Sequence, residues 1–291
     1  MITTIFCVLD DFCKEFENQN KKHFLEMVGT NKRNRAANLS PSEILTILIF
    51  FHHSGQRTFK KYYEVTIKMF YRNAFNKLVS YSRFLILAQK YILALTIFSY
   101  AYKAKEDNVF FIDSTILRVC HNKRIYQNKV FNNIAKRGKS SMGWFYGFKL
   151  HYVINTRGEI VNFLITPGNI SDQNHSVVDF LTKHITGKLF GDKGYISAPL
   201  FKKLFERGLQ IITKIKRNMK SVLMPLMDKI LLRKRGVVES VGNLLKNKLQ
   251  LEHSRHRSVI GFFLNVFAAI AAYNFLPKKP SLIFRNKRLR P

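Results

Sequence analysis

Acidic residues are scarce: 18 Asp+Glu face 49 Lys+Arg in 291 residues, a formal net charge of +31. Such a surplus opposes compaction through self-repulsion and calls for a polyanionic partner, nucleic acid first and an anionic membrane second. Cysteine is scarce as well. Cys7, Cys13 and Cys120 form no CxxC pair, which argues against a disulfide scaffold or a zinc finger and suits a reduced, cytoplasmic protein. Long apolar runs are missing. The most apolar stretch, Val259 to Leu276, is interrupted by Asn265 and Asn274 and barely reaches spanning length. A buried core helix is expected there, and no membrane partner. Ile5 and Phe6 make the N-terminus apolar, but Asp10, Asp11 and the lack of a basic leader argue against a signal peptide.

What is present divides into two patterns. Up to about residue 105 the chain reads as helical. Phe6, Leu9, Cys13 and Phe16 recur at helical spacing, and Asn31 to Asn38 is a basic, polar break. Ser40-Pro41-Ser42-Glu43 combines an N-cap serine, proline at the first helical position and glutamate at the third, a strong helix start. A further helix is expected around Lys60 to Tyr71, and one long, largely buried helix from Ser82 to Tyr100. Short helices with basic exposed faces suit a helix-turn-helix-like DNA-recognition region over 1–105. A plain helical bundle fits that pattern slightly better on sequence alone.

From 106 to 277 the pattern changes to short strands and helices. Val109–Ile112 reads as a buried strand, Gly147–Ile154 alternates as a second, Asn155 to Gly158 as a hairpin turn and Ile160 to Thr166 as a third. Helices are expected at Ser171–His184, Ser197–Arg207 and Val237–Leu251, with strands at Lys188–Phe190 and Leu209–Ile215. The expected fold class is α/β (α+β): a mixed sheet flanked by helices, following the helical region. Residues 278–291 form a basic tail with two prolines, expected to be extended and mobile.

Asp113 is an acid carried by an otherwise apolar strand, which is costly without compensation. Asp192 follows Lys188–Phe190 between Gly191 and Gly194, at a strand end where ligands gather in open sheets. Taken alone it reads better as a turn or cap residue. Glu239 shares a helix face with Gly242, Asn243 and Lys246, opposite an apolar stripe of Val238, Val241, Leu245 and Leu249. Alone it reads as an N-terminal acid favoured by the helix dipole. Together the three carboxylates would repel unless cations intervened. Two divalent ions about 4 Å apart would relieve that repulsion and clamp a phosphodiester. Oxygen ligands favour Mg2+ or Mn2+.

Three motifs carry a resemblance: Ile112-Asp113-Ser114-Thr115, Phe190-Gly191-Asp192-Lys193-Gly194-Tyr195, and Arg235 to Glu239 with Lys246 beyond it. They resemble the DDE transposases of bacterial insertion sequences, whose catalytic domain is ribonuclease-H-like. The family signature around the third acid is Tyr, two residues, Arg, three residues, Glu, six residues, Lys or Arg. Arg235, Glu239 and Lys246 fit it, and Leu232 stands where the tyrosine would be. Trp144 to His151, Thr166 to Asn169, Ser254 to Ser258 and Leu39 to Glu43 also look like family patterns.

The resemblance implies a transposase that cuts double-stranded DNA at element ends and joins the freed 3′-hydroxyl to a target, and that is oligomeric on DNA. Asp113, Asp192 and Glu239 would be the catalytic metal ligands for two ions. A nuclease of this fold that never joins is one alternative; a non-catalytic DNA-binding protein or inactivated copy is another. For Lys193 and Arg235, phosphate contact and charge balancing weigh equally; for Arg255 and Arg257, DNA contact and solvated surface do. Asp172 is the rival ligand, read rather as a loop or cap residue, and Trp144 is read as core before base-stacking.

Overall fold

The computed structural model describes residues 1–28, 38–101, 104–105, 107–141, 143–214, 223–252 and 256–282. Along the chain run α1 (Ile2–Val28), α2 (Pro41–Phe51), α3 (Phe59–Lys61), α4 (Tyr81–Lys90), α5 (Ile92–Ala101), β1 (Val109–Cys120), β2 (Lys136–Ser140), β3 (Gly143–Asn155), β4 (Ile160–Pro167), α6 (His175–Thr182), β5 (Gly187–Gly191), α7 (Ala198–Glu206), β6 (Leu209–Thr213), α8 (Leu226–Arg233), α9 (Gly236–Asn243) and α10 (Val259–Asn274). π-helical turns continue α3 over Tyr62–Phe70 and α9 over Leu244–Lys248. The single helix expected from Val237 to Leu251 is thus an α-helix that widens into a π turn and stops at Lys248. Two compact units result. One holds Met1–Tyr102, Leu245–Leu251 and His256–Phe275; the other holds Lys103–Leu244, Glu252–Arg255 and Leu276–Pro291.

In the helical unit the capping box at Ser40 is formed in both directions. The Glu43 N–H donates to Ser40 Oγ at 3.1 Å, and the Ser40 N–H donates to Glu43 Oε2 at 2.7 Å. That start launches α2, buried from Ser42 to Phe51 and packed by α1, α4 and α10. The long helix expected over Ser82–Tyr100 is two, α4 and α5, bent by 59°. Tyr91 leaves helical geometry at the break, which lets Phe84 and Leu87 on one side and Leu95 and Phe98 on the other all reach the core. The core helix expected near the C-terminus is α10, apolar on every side and packed against α5 and α2. A helix of that kind must be covered all round, so 256–275 groups with the N-terminal helices and not with the strand region that precedes it in sequence. Asn265, one of its polar interruptions, donates to the Gln250 and Leu251 carbonyls at 3.4 and 3.3 Å. No single described helix is long and apolar enough to cross a membrane.

The second unit is built on a six-stranded mixed sheet in the order β2-β3-β1-β5-β6, with β4 also paired to β3. β1, β3 and β4 are antiparallel, as their hairpin turn at Asn155–Gly158 predicts; β5 and β6 add in parallel beside β1. β1 runs to Cys120, well past the expected end at Ile112. Phe110, Ile112 and Val153 point to one face, where Val177, Val178 and Leu181 of α6 and Leu200 and Leu204 of α7 close the core. Phe111 and Asp113 alternate to the other face, against which α9 packs. The mixed sheet with flanking helices is a ribonuclease-H-like arrangement.

Two elements depart from the sequence reading. β2 carries Lys136, Arg137 and Lys139 and has no apolar pattern; its pairing with β3 makes it a strand. Trp144, expected in the core, is 51% exposed, because it lies opposite Lys139 on that edge strand. The part of the basic tail beyond Leu282, the break from Asn31 to Ala37 and the strand residue Ile215 fall outside the described residues.

Candidate active site

The β1–β5 ladder sets the first two acids. Its last paired residues are Phe111 and Phe190, whose rings stack with centroids 5.5 Å apart. Asp113 and Asp192 each lie two residues further on, so strand alternation returns both to the face those rings define. Gly191 lets the chain turn tightly after β5: a Cβ there would meet the Tyr195 ring at 3.1 Å and Ile112 at 3.2 Å. Asp192 precedes a single 3-10 turn, Lys193–Tyr195, but its side chain makes no capping bond, contrary to the cap role it suggested alone. Its surface is exposed, as is that of Lys193.

Glu239 comes from α9. Val238 and Val241 are fully buried beneath it, and the Glu239 side chain is 61% exposed. Arg235, one turn earlier, donates from Nη2 to Glu239 Oε1 at 2.6 Å. Tyr152 fixes the helix to the sheet. It sits directly across the ladder from Asp113, and its hydroxyl donates to the Val238 carbonyl at 3.0 Å. Gly242, which the helical wheel put on the polar face, is buried against this tyrosine.

The electrostatics draw these groups together. Burial pushes the Asp113 carboxyl up to about 6; its own Ser114 N–H and Arg235 resist that rise, and Glu239 and Asp172 add to it. Asp172 is therefore part of the site, not a bare loop acid. Its Oδ1 accepts from Ser114 Oγ at 2.8 Å and Lys149 Nζ at 3.2 Å. His151, fully buried, lies 3.6 Å from the same oxygen and bonds Thr166 Oγ1 through Nε2 at 2.9 Å. Burial lowers its ring to about 4 against the pull of Asp172 and with the push of Lys149, so it is neutral at neutral pH. Burial also raises the Tyr195 phenol well above its ordinary value, with Asp172 and Asp113 adding to the rise, so it stays a donor.

Half of the buried side-chain atoms that lack a hydrogen bond belong to residues of this site. Of six among the described residues, three are His151 Nδ1, Tyr195 Oη and Arg235 Nη1. Unsatisfied polar atoms beside the carboxylates fit a site built for further ligands. The donor set is oxygen-only, and Glu239 and Asp172 add like charge to an Asp113 raised chiefly by burial, which fits a hard divalent cation. Among the described residues no group of three or more His, Cys, Asp or Glu stands ready to hold one, and Glu239 is engaged by Arg235.

A family model described as "Transposase DDE domain" matches residues 103–259, more than half of the chain and all three acids. The chain belongs to the DDE transposase family. Divalent metals are general in that family. The fold agrees: a cryo-EM structure of a piggyBac transposase synaptic complex with hairpin DNA superposes with a TM-score of 0.51 at 11% identity, covering 84% of this chain and 68% of that one. No curated protein matches the chain in sequence.

Within this transposase unit five further acids have structural partners. Asp107 is bound by Thr156 and by the backbone of Asn108 and Val109. Glu159 is held by Asn155 and Arg157, Asp179 by Lys203 and Arg207, Glu252 by Arg118. Asp228, 3% exposed at its side chain, pairs with Lys188 at 2.7 Å. Of the basic residues singled out by sequence, Arg235 is in the site and Lys193 beside Asp192. Lys246 and Arg257 belong to the helical unit, and Arg255 lies outside the described residues. Sequence reading passed over Lys149, His151, Tyr152 and Tyr195 as site residues. The signal was there in β3, where Lys149 and His151 alternate on a strand too buried to carry polar groups without partners.

Proposed function

We propose that this transposase binds the ends of an insertion element and catalyses metal-dependent cleavage and strand transfer on DNA. The observation that supports this best is the β1–β5 ladder, whose last pair Phe111–Phe190 lies two residues before both Asp113 and Asp192, with Glu239 in electrostatic reach of Asp113. In this reading Asp113, Asp192 and Glu239 are the residues that would hold two Mg2+ or Mn2+ ions. Bound there, the ions supply positive charge to the attacking and leaving oxygens of a phosphodiester.

The chain's own groups supply the rest. Arg235 holds Glu239 and its charge also favours the Asp113 carboxylate, so it keeps the carboxylates together before the site is loaded. Lys193 and Arg235 meet phosphates at the site, and Lys246, Arg255 and Arg257 add phosphate contacts elsewhere. Tyr195 keeps its proton and offers a neutral donor. Lys149 and Ser114 fix Asp172 so that its charge stays beside Asp113. Residues 1–105 serve DNA recognition and the strand region within 106–277 serves catalysis, with 256–275 packed among the N-terminal helices and 278–291 adding non-specific attraction. Exposed Arg57, Lys60, Lys61, Arg72, Lys77 and Arg83 support the first assignment. The active species on DNA is an oligomer.

The test is strand transfer from pre-cut element ends into a target plasmid, with Mg2+ or Mn2+. Short inverted repeats flanking the gene would provide the ends. Joined products are expected from the wild type and none from Asp113→Asn, Asp192→Asn or Glu239→Gln. Cleavage without joining would replace the transposase reading with the nuclease one. Absence of both from the wild type would leave a DNA-binding or inactivated copy.

A further inference from the structure

The exposed end of the β2–β3 pair, which carries Arg137, Lys139 and Trp144, is used neither by the carboxylate site nor by the core. Arg137 and Lys139 alternate on one face of β2, and Trp144 lies directly opposite Lys139 on β3. The Arg137 guanidinium stands 4.8 Å and the Lys139 ammonium 5.7 Å from the indole centroid. No ion pair is formed by either cation among the described residues. Parked on a half-exposed ring, each gains only about 0.5–1 kcal/mol, less than a charge-assisted bond to a phosphate. The surroundings offer no competing anion from nearby sequence: 114–158 is a run of 45 residues with nine Lys+Arg and no acid.

The platform is also held firmly. A Cβ on Gly138 would lie 2.1 Å from the Gly168 carbonyl oxygen, so β2 rests flat on that loop. The Asn122 amide donates to the Trp144 carbonyl at 2.7 Å. Cations alone would be explained as protection of an edge strand against pairing. That explanation has no use for a large exposed ring between them, whereas an aromatic face flanked by cations suits an unpaired base and its phosphates.

We propose that the β2–β3 hairpin binds an unpaired segment of the DNA, with a base stacked on Trp144 and its phosphates held by Arg137 and Lys139. Paired bases are excluded because their faces are covered by their neighbours. The inference rests on the DNA-binding reading above, and its test separates the two.

Trp144 is the single tryptophan of the chain, so intrinsic emission reports on this position alone. Labelled DNA, either a blunt duplex or the same duplex with a short single-stranded extension, is titrated with the full-length protein. Anisotropy gives binding and tryptophan emission gives stacking. Tighter binding of the extended DNA with quenched emission is expected. Trp144→Ala should cut affinity for the extended DNA by about fivefold to a hundredfold and leave blunt-duplex affinity and the melting temperature unchanged. Arg137→Ala and Lys139→Ala should each lower the slope of log affinity against log salt by about one on extended DNA. Saturated anisotropy with unquenched Trp144, or a Trp144→Ala protein that keeps its preference, would overturn the hairpin assignment and leave DNA binding intact. Absence of any anisotropy change with wild-type protein would overturn both.

Discussion

A Cβ placed on Gly242 would stand 2.6 Å from the Tyr152 hydroxyl, so α9 rests on β3 only because that position is bare. The same hydroxyl donates to Val238, one residue before Glu239. Gly242→Ala should push the helix off the sheet, costing about 1–3 kcal/mol and reducing strand transfer by more than the lost stability accounts for. Tyr152→Phe alone should cost about 1 kcal/mol. The double variant should be more stable than the sum of the two losses, because the clash is with the oxygen that phenylalanine lacks. Denaturant unfolding of all four proteins checks the sign of that coupling.

Asp113 makes a prediction about pH. Its carboxyl is raised from 3.8 to about 6 in the folded protein, chiefly by burial. The folded state thus prefers the protonated form: the cost is nil below the unfolded value, grows between the two, and is constant above about 6. Asp113→Asn should therefore stabilise the protein at pH above about 6, by up to about 3 kcal/mol, and change nothing below about pH 4. Added Mg2+ should raise the melting temperature of the wild type at neutral pH and not that of the variant. Thermal unfolding across pH, with and without metal, reads both.

Two acids in salt bridges should behave oppositely. Asp228 on α8 is buried and paired with Lys188, and Asp172 is part-exposed, paired with Lys149 and in electrostatic reach of Asp113. Asp228→Asn should lower stability by about 2 kcal/mol, since it strands a half-buried ammonium, and leave the metal concentration for half-maximal activity unchanged. Asp172→Asn should cost less stability and shift that concentration by about tenfold or more. Matched metal titrations distinguish them; equal shifts would remove Asp172 from the site.

The Tyr195 hydroxyl is buried and unpartnered. Tyr195→Phe should leave the melting temperature equal or higher, because an unsatisfied polar group is removed, and should lower the strand-transfer rate. A fall in both would make the tyrosine a packing residue only.

The sequence carried its strands where burial is one-sided or complete. Alternation in Gly147–Ile154, the apolar run before Asp113 and the capping box at Ser40 each fix local structure by short-range physics, and each is found in place. What stayed hidden depends on partners distant in sequence. β2 is a strand because β3 has a free edge, and Trp144 is exposed for the same reason. The bend at Tyr91 and the π turn after Asn243 answer to packing, with neither proline nor glycine at the bend to announce it. Asp172 resembled a turn residue because Ser114 and Lys149, which define it, lie 58 and 23 positions away.

The distance between Asp113 and Asp192 is governed by ladder register and strand spacing more than by side-chain rotation. A single residue inserted between Val109 and Ile112, or between Gly187 and Gly191, would turn one carboxylate to the opposite face of the sheet. Insertion of two would restore the face and displace the carboxylate along the strand. Length changes can accumulate in the loops around these strands, while the strands themselves tolerate substitution but not a change in count.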